Sequence, residues 1–205
     1  LPLGETLHIL REVAAALDYA HQQGVVHRDL RPSNVFYNAE TGEVKVSDFG
    51  TITLMENVHA LVRTTVNTPN PSYAAPEQTQ RQPPEPRNDV YSLGVLAYEL
   101  LTGEIPYDAL NPYTILSRQL TTTAIPPSQM EETLPSEIDE VVLKAMHRRI
   151  DQRYASCAEM VEALAKATGQ QSAAPVYEAA TAGAASAHLR VHGQPAVAEP
   201  ALAED

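Results

Sequence analysis

The sequence holds a single cysteine, Cys157, among 205 residues. No internal disulfide can form, which fits a reducing compartment and sets the expectation of a cytoplasmic protein. Basic residues are scarce: 14 Lys and Arg face 26 Asp and Glu, a net charge of -12. Such a chain repels polyanions, so neither nucleic acid nor an anionic membrane surface is an expected partner. No apolar run approaches the roughly 18 residues of a membrane span, so none is expected within the chain. The opening Leu-Pro-Leu-Gly has neither an initiating Met nor a signal-peptide pattern, and reads as a start inside a larger gene product. No internal repeat is visible. What is present, 43% hydrophobic residues over this length, suffices for one core.

Helical periodicity dominates the pattern. Leu7, Leu10, Val13, Ala14, Leu17 and His21 fall on one stripe and predict a helix over 6–23, with Gly24 as its stop. Val35–Tyr37 and Val44–Val46 predict two short strands around an Asn- and Gly-containing turn. Residues 51–74 show no sustained period and are read as a long functional loop, and the Pro-rich tract 80–87 as another loop. Residues 89–102 are apolar nearly all round, as expected of a helix buried mid-domain, with Gly103 as cap. A short helix is expected over about 112–120. Two Ser-x-x-acid pairs, Ser136 with Asp139 and Ser156 with Glu159, predict capping boxes at further helix starts. Beyond about 166 the chain is rich in Ala, with few large apolar residues. It cannot bury enough surface to offset its ordering entropy, so 167–205 is read as a disordered tail.

Between the first helix and the first strand runs His27-Arg28-Asp29-Leu30-Arg31-Pro32-Ser33-Asn34. It sets an acid and a carboxamide five residues apart, with a Pro that interrupts helix between them. A polar loop between a helix and a strand is where a rigid scaffold presents chemistry. Asp48-Phe49-Gly50 and Ala75-Pro76-Glu77 follow. Singly these residues have bland readings: Asp29 a turn residue, Asp48 a cap, Glu77 a surface carboxylate, Arg153 a solvated charge. Order and spacing decide otherwise. The His-Arg-Asp-x5-Asn loop, two strands, Asp-Phe-Gly, a polar loop, Ala-Pro-Glu, an Asp-x-Tyr-Ser-x-Gly helix start and a late Arg occur in sequence. Over residues 1–166 the chain resembles the larger, C-terminal lobe of eukaryotic-type serine/threonine protein kinases, a family also found in bacteria.

That resemblance implies a mainly α fold, a helical bundle around a buried central helix with short β-hairpins at the catalytic and metal loops. It implies ATP and Mg²⁺ as cofactors and a protein Ser/Thr hydroxyl as acceptor, autophosphorylation included. Asp29 is the expected catalytic acceptor of the hydroxyl proton. Asn34 and Asp48 are the expected Mg²⁺ ligands, since Mg²⁺ favours hard oxygen donors. Arg31 stands where the family usually carries Lys and is expected at the terminal phosphate, with a forked rather than point geometry. Phe36 falls beneath the adenine ring, where a smaller aliphatic residue is usual. His27 is expected against Phe49, and Asp89 on the backbone of the His-Arg-Asp turn. Glu77 is expected to pair with Arg153. Arg28 marks kinases switched by activation-loop phosphorylation, with Thr64, Thr65 and Thr68 as candidate sites. Two extra residues separate Thr68 from Tyr73 relative to the family pattern. Tyr73, Tyr91, Tyr98 and Tyr107 are read as packing residues, and His21, His59 and His147, without partner spacing, as non-functional.

The 205 residues contain no Gly-rich phosphate loop, no strand Lys and no partner Glu, the parts that form the smaller lobe. Alone, then, the chain is expected to bind ATP poorly and transfer phosphate barely or not at all, within a parent protein that is an active enzyme. The competing reading is a non-catalytic kinase-like scaffold. A small-molecule phosphotransferase of the same fold fits less well, because Ala-Pro-Glu serves a peptide platform.

Overall fold

The computed structural model describes residues 1–50, 70–80, 82–170 and the backbone of 187–188. Helix α1 spans Leu3–Gln22 and buries Leu7, Leu10, Val13, Ala14 and Leu17 of the predicted stripe, with Ile9 buried besides and His21 half-buried. It begins three residues earlier than its periodicity suggests, because the Thr6 N–H reaches the Pro2 carbonyl and extends the first turn. Gly24, at φ +76°, turns the chain out of the helix.

Strands β1 (Val35–Tyr37) and β2 (Val44–Val46) pair antiparallel, with Phe36 opposite Lys45. They form the hairpin predicted around the Asn- and Gly-containing turn, and it joins the loop of Asp29 to the loop of Asp48. Its tip is fixed by Asn38, whose Oδ1 accepts the Glu40 N–H, and by Gly42 at φ +73°. A third strand, β3 (Ala187–His188), pairs with the other edge of β1, giving the order β2-β1-β3. It lies inside the stretch read as a disordered tail: two residues of backbone pairing need no apolar side chain, so composition could not show them. The rest of that tail lies outside the described residues.

Helices α2 (Pro76–Thr79) and α3 (Pro86–Thr102) follow. Each starts on a proline, which is preorganised for the first helical position and has no N–H to leave unpaired. For α3 this moves the start three residues earlier than expected, to Pro86 within the tract read as loop. Fourteen of its residues, from Asn88 to Leu101, are buried, as expected of a helix apolar on all sides. Helices α4 (Pro112–Thr121), α5 (Pro127–Met130), α6 (Glu137–Ala145) and α7 (Cys157–Ala167) complete the helical body. Around α3 pack α1, α6 and α7. At Gly94 the approach to α6 is so close that an added Cβ would stand 2.8 Å from the Ala145 Cβ and 3.0 Å from Met146 Cγ.

The two predicted capping boxes fare differently. Ser156 Oγ accepts the Glu159 N–H as expected, while Glu159 reaches one residue further back, to the Ala155 N–H. Ser136 makes no side-chain cap. Its expected partner Asp139 turns to α5 instead and accepts from the Ser128 N–H and Oγ at 2.9 and 2.6 Å.

Candidate active site

The loop between α1 and β1 is held from beneath. Asp89, fully buried in the first turn of α3, accepts the His27 and Arg28 N–H groups, each at 2.8 Å. The turn it grips is strained: Arg28 sits at φ +70°, left-handed backbone that a residue with a Cβ rarely adopts. Gln78 of α2 adds a second hold, donating from Nε2 to the Arg28 carbonyl at 2.9 Å. The His21 Nε2 also lies 2.7 Å from Asp89 Oδ2. His21 therefore has the partner that sequence spacing could not show, 68 residues away.

His27 is buried and ties the loop to the second motif. Its Nε2 lies 2.8 Å from the Ser47 carbonyl, which can only accept, so that nitrogen carries the hydrogen. Its Nδ1 accepts the Asp29 N–H at 3.2 Å. The ring packs on Phe49 with centroids 4.6 Å apart, tilted by 59°. The Ser47 N–H reaches the Asn34 carbonyl at 2.9 Å, so one histidine and one serine bring the loop carrying Asp48 beside the loop carrying Asp29. Asp48 is itself left-handed at φ +65°, and its Oδ2 accepts from Ser47 Oγ. Gly50 follows at φ +70°.

Within the loop, Pro32–Asn34 form a single 3₁₀ turn that folds Asn34 back over Asp29. Asn34 Nδ2 donates to the Asp29 carbonyl at 2.8 Å and, at the outer limit, to its Oδ2 at 3.5 Å. The Asn34 side-chain Oδ1 accepts from the Ser33 hydroxyl at 3.3 Å. Arg31 Nε stands 3.4 Å from Asp29 Oδ2 on a side chain 39% exposed, a cation held at the acid yet open to solvent. The expected Mg²⁺ ligands, Asn34 and Asp48, are hard oxygen donors of the kind that ion favours. Phe36, half-buried on β1, is the next residue but one after Asn34.

The far end of the segment is fastened to the same body. Glu77 and Arg153 form a buried two-pronged ion pair at 2.7 and 2.8 Å. Arg153 also donates to the His147 and Arg87 carbonyls and lies over the Tyr91 ring. Asn88 Nδ2 donates to Glu77 as well. Tyr73 does more than pack: its hydroxyl donates to buried Glu99 at 2.6 Å and its carbonyl accepts from Ser92 Oγ. Burial pushes the Glu99 carboxyl above the usual range, and the Tyr73 hydrogen bond pulls it partly back. Gln119 of α4 donates to the Pro71 and Ala74 carbonyls. Asn88, Glu99, Gln78 and Gln119 carry no sequence signal, since each finds its partner only through tertiary contact. Thr64, Thr65, Thr68 and His59 lie outside the described residues. Of the extended stretch before Tyr73, residues 70–72 are described: Asn70 holds them as a turn, its carbonyl accepting the Tyr73 and Ala74 N–H groups and its Oδ1 the Ser72 N–H.

The model of the protein kinase domain matches residues 2–165. The chain belongs to the protein kinase domain family. Among its relatives is serine/threonine-protein kinase PknB of Mycobacterium leprae, 35% identical over 176 residues, which are 85% of this chain and 28% of that protein. A probable serine/threonine-protein kinase of Clostridium acetobutylicum is 33% identical over 153 residues, covering 75% of this chain and 23% of that protein. The crystal structure of the Mycobacterium tuberculosis PknI kinase domain superposes with a TM-score of 0.63 at 30% identity, covering 82% of this chain and 57% of that one. This kinase chain thus spans about a quarter of the length of the curated relatives it matches. No helix among its described residues is long and apolar enough to cross a membrane.

Proposed function

We propose that this chain is the larger lobe of a serine/threonine protein kinase that transfers the γ-phosphate of Mg-ATP to protein hydroxyls. The observation that carries the reading is the cluster of Asp29, Asn34 and Arg31, with Asp48 drawn alongside through His27 and Ser47. Phosphoryl transfer needs an acceptor aimed in line and phosphate charge neutralised, with little covalent help from the protein. Asp29 would accept the hydrogen of the acceptor hydroxyl and set its direction. The bond from Asn34 to the Asp29 carbonyl would steady that residue, and the Asn34 Oδ1 and Asp48 would hold Mg²⁺. When bound, the ion neutralises charge on the phosphate oxygens. Arg31 would reach the terminal phosphate from the solvent side. Phe36 would lie under the adenine.

The 205 residues hold no Gly-rich loop and no strand lysine ahead of the His-Arg-Asp loop, so on their own they should bind nucleotide weakly. The second reading is a non-catalytic kinase-like scaffold, against which the presence of Asp29, Asn34 and Asp48 together speaks. The deciding experiment uses a protein that carries this chain behind a Gly-rich loop and a strand lysine. With Mg-ATP and labelled phosphate, Asp29→Asn should lower incorporation at least about a hundredfold, the size of a general-base or positioning term. Equal incorporation would remove Asp29 from the mechanism, and none in either protein would favour the scaffold.

Regulation by phosphate on Thr64, Thr65 or Thr68, paired with Arg28, belongs to the same proposal. Mass spectrometry of the active protein should find phosphate within 51–74. An active protein bare of phosphate there would end that part of the reading.

A further inference from the structure

Behind the catalytic loop, at the junction of α1 and α7, three different donor types face one another. Asp18 and His21 lie one helical turn apart on α1, and Cys157 opens α7. One oxygen, one nitrogen and one sulfur lie within 4.8 Å of each other. Cys157 is fully buried, while the side chains of His21 and Asp18 are 9% and 19% exposed. The kinase chemistry uses none of these donors directly.

The orientation of His21 singles the cluster out. Its Nε2 meets Asp89 Oδ2 at 2.7 Å, and an ionised carboxylate only accepts, so Nε2 carries a hydrogen. Its Nδ1 is thereby aimed at Asp18 Oδ1, 3.6 Å away. A histidine that donates one ring N–H to a carboxylate and turns its other nitrogen to further donors is the arrangement that supports metal-bound imidazole. Asp18 is the acceptor shared by the other two side chains, the His21 ring and the Cys157 thiol, so an ion bound among the three would take the place of two protons. Asp18 also accepts the Cys157 and Ala158 N–H groups at 3.0 and 2.9 Å, and a carboxylate offers about four lone-pair positions.

We propose that Asp18, His21 Nδ1 and Cys157 Sγ form a zinc site, with a water completing the four ligands on the partly exposed side. Zinc bond lengths of about 2.0–2.3 Å place tetrahedral ligands roughly 3.3–3.6 Å apart. The Asp18–His21 separation already fits, and the widest pair must close by about 1 Å. A thiolate and an imidazole select zinc over Mg²⁺ or Ca²⁺, which require oxygen. With one thiolate and one carboxylate, the ion and its ligands sum to zero charge, which limits the cost of their burial. The site would join α1 to α7, and through His21 and Asp89 it would brace the turn that carries Asp29.

The test titrates the full chain with Co²⁺ as a spectroscopic probe, then with Zn²⁺ against a chromophoric chelator. One equivalent of tetrahedral cobalt with a thiolate-to-metal charge-transfer band is expected, displaced by zinc but not by Mg²⁺. Cys157→Ser should abolish the band and weaken zinc at least about tenfold, and Asp18→Asn should weaken it by a similar factor. Absence of the thiolate band in the unaltered chain overturns the proposal, as does zinc affinity unchanged in Cys157→Ser. Should a variant fail to fold, the cobalt spectrum of the unaltered chain decides alone.

Discussion

At the scale of single residues, Asp89 and His21 show how one buried carboxylate serves three donors. Burial favours the neutral form of His21, but its bonds to Asp18 and Asp89 outweigh this and raise its pKa from 6.5 to about 9. The folded state therefore holds a proton that the unfolded chain releases more easily. This contribution to stability is complete below about pH 6.5 and is lost as pH rises through about 9. Urea unfolding followed from pH 6 to 9.5, with a chelator present, should show a midpoint that falls more steeply than in His21→Gln. Parallel slopes would show that His21 is not the titrating group. The sequence could show that His27, Asp29, Asn34 and Asp48 belong together, because their order and spacing are local. It could not pair His21 with Asp89, because the spacing of 68 residues has no period to betray it.

At the scale of elements, the apolar stripe of α1 and the all-round apolar pattern of α3 were legible because burial imposes period or its loss directly on composition. The starts of both helices were less so. Periodicity marks only the turns that bury side chains, and each first turn here rests on a backbone bond or a proline. The Ser136 pattern misled because its acid, Asp139, found better donors on a neighbouring helix. Close approach is also invisible in a pattern. Gly94 reads as a weak spot in a helix, yet its missing Cβ is what lets α3 meet α6. Gly94→Ala should gain helix propensity and still destabilise by about 1–3 kcal/mol, since an overpacked contact forces backbone to shift. A denaturant midpoint equal to or above that of the parent would show that the two helices can move apart without cost.

At the scale of the whole molecule, Glu77 and Arg153 bind together parts of the chain 76 residues apart. Both are buried, so removing one partner strands a charge away from water. Arg153→Met should cost about 3–5 kcal/mol, and the double variant Glu77→Gln with Arg153→Met less than the sum of the two single changes. Chemical denaturation of the four proteins checks this, and additive losses would show the pair to be uncoupled. Helix α3 plays a further part at this scale. Its first turn carries the acid that holds the His-Arg-Asp turn, and its middle carries Ser92 and Glu99, which hold Tyr73. Asp29, the proposed proton acceptor, and the Tyr73 segment are thereby referred to a single rigid rod, like two gauges zeroed on one rail. The separation of those two stations is set beforehand, and a substrate of the proposed reaction would meet a distance it does not have to establish.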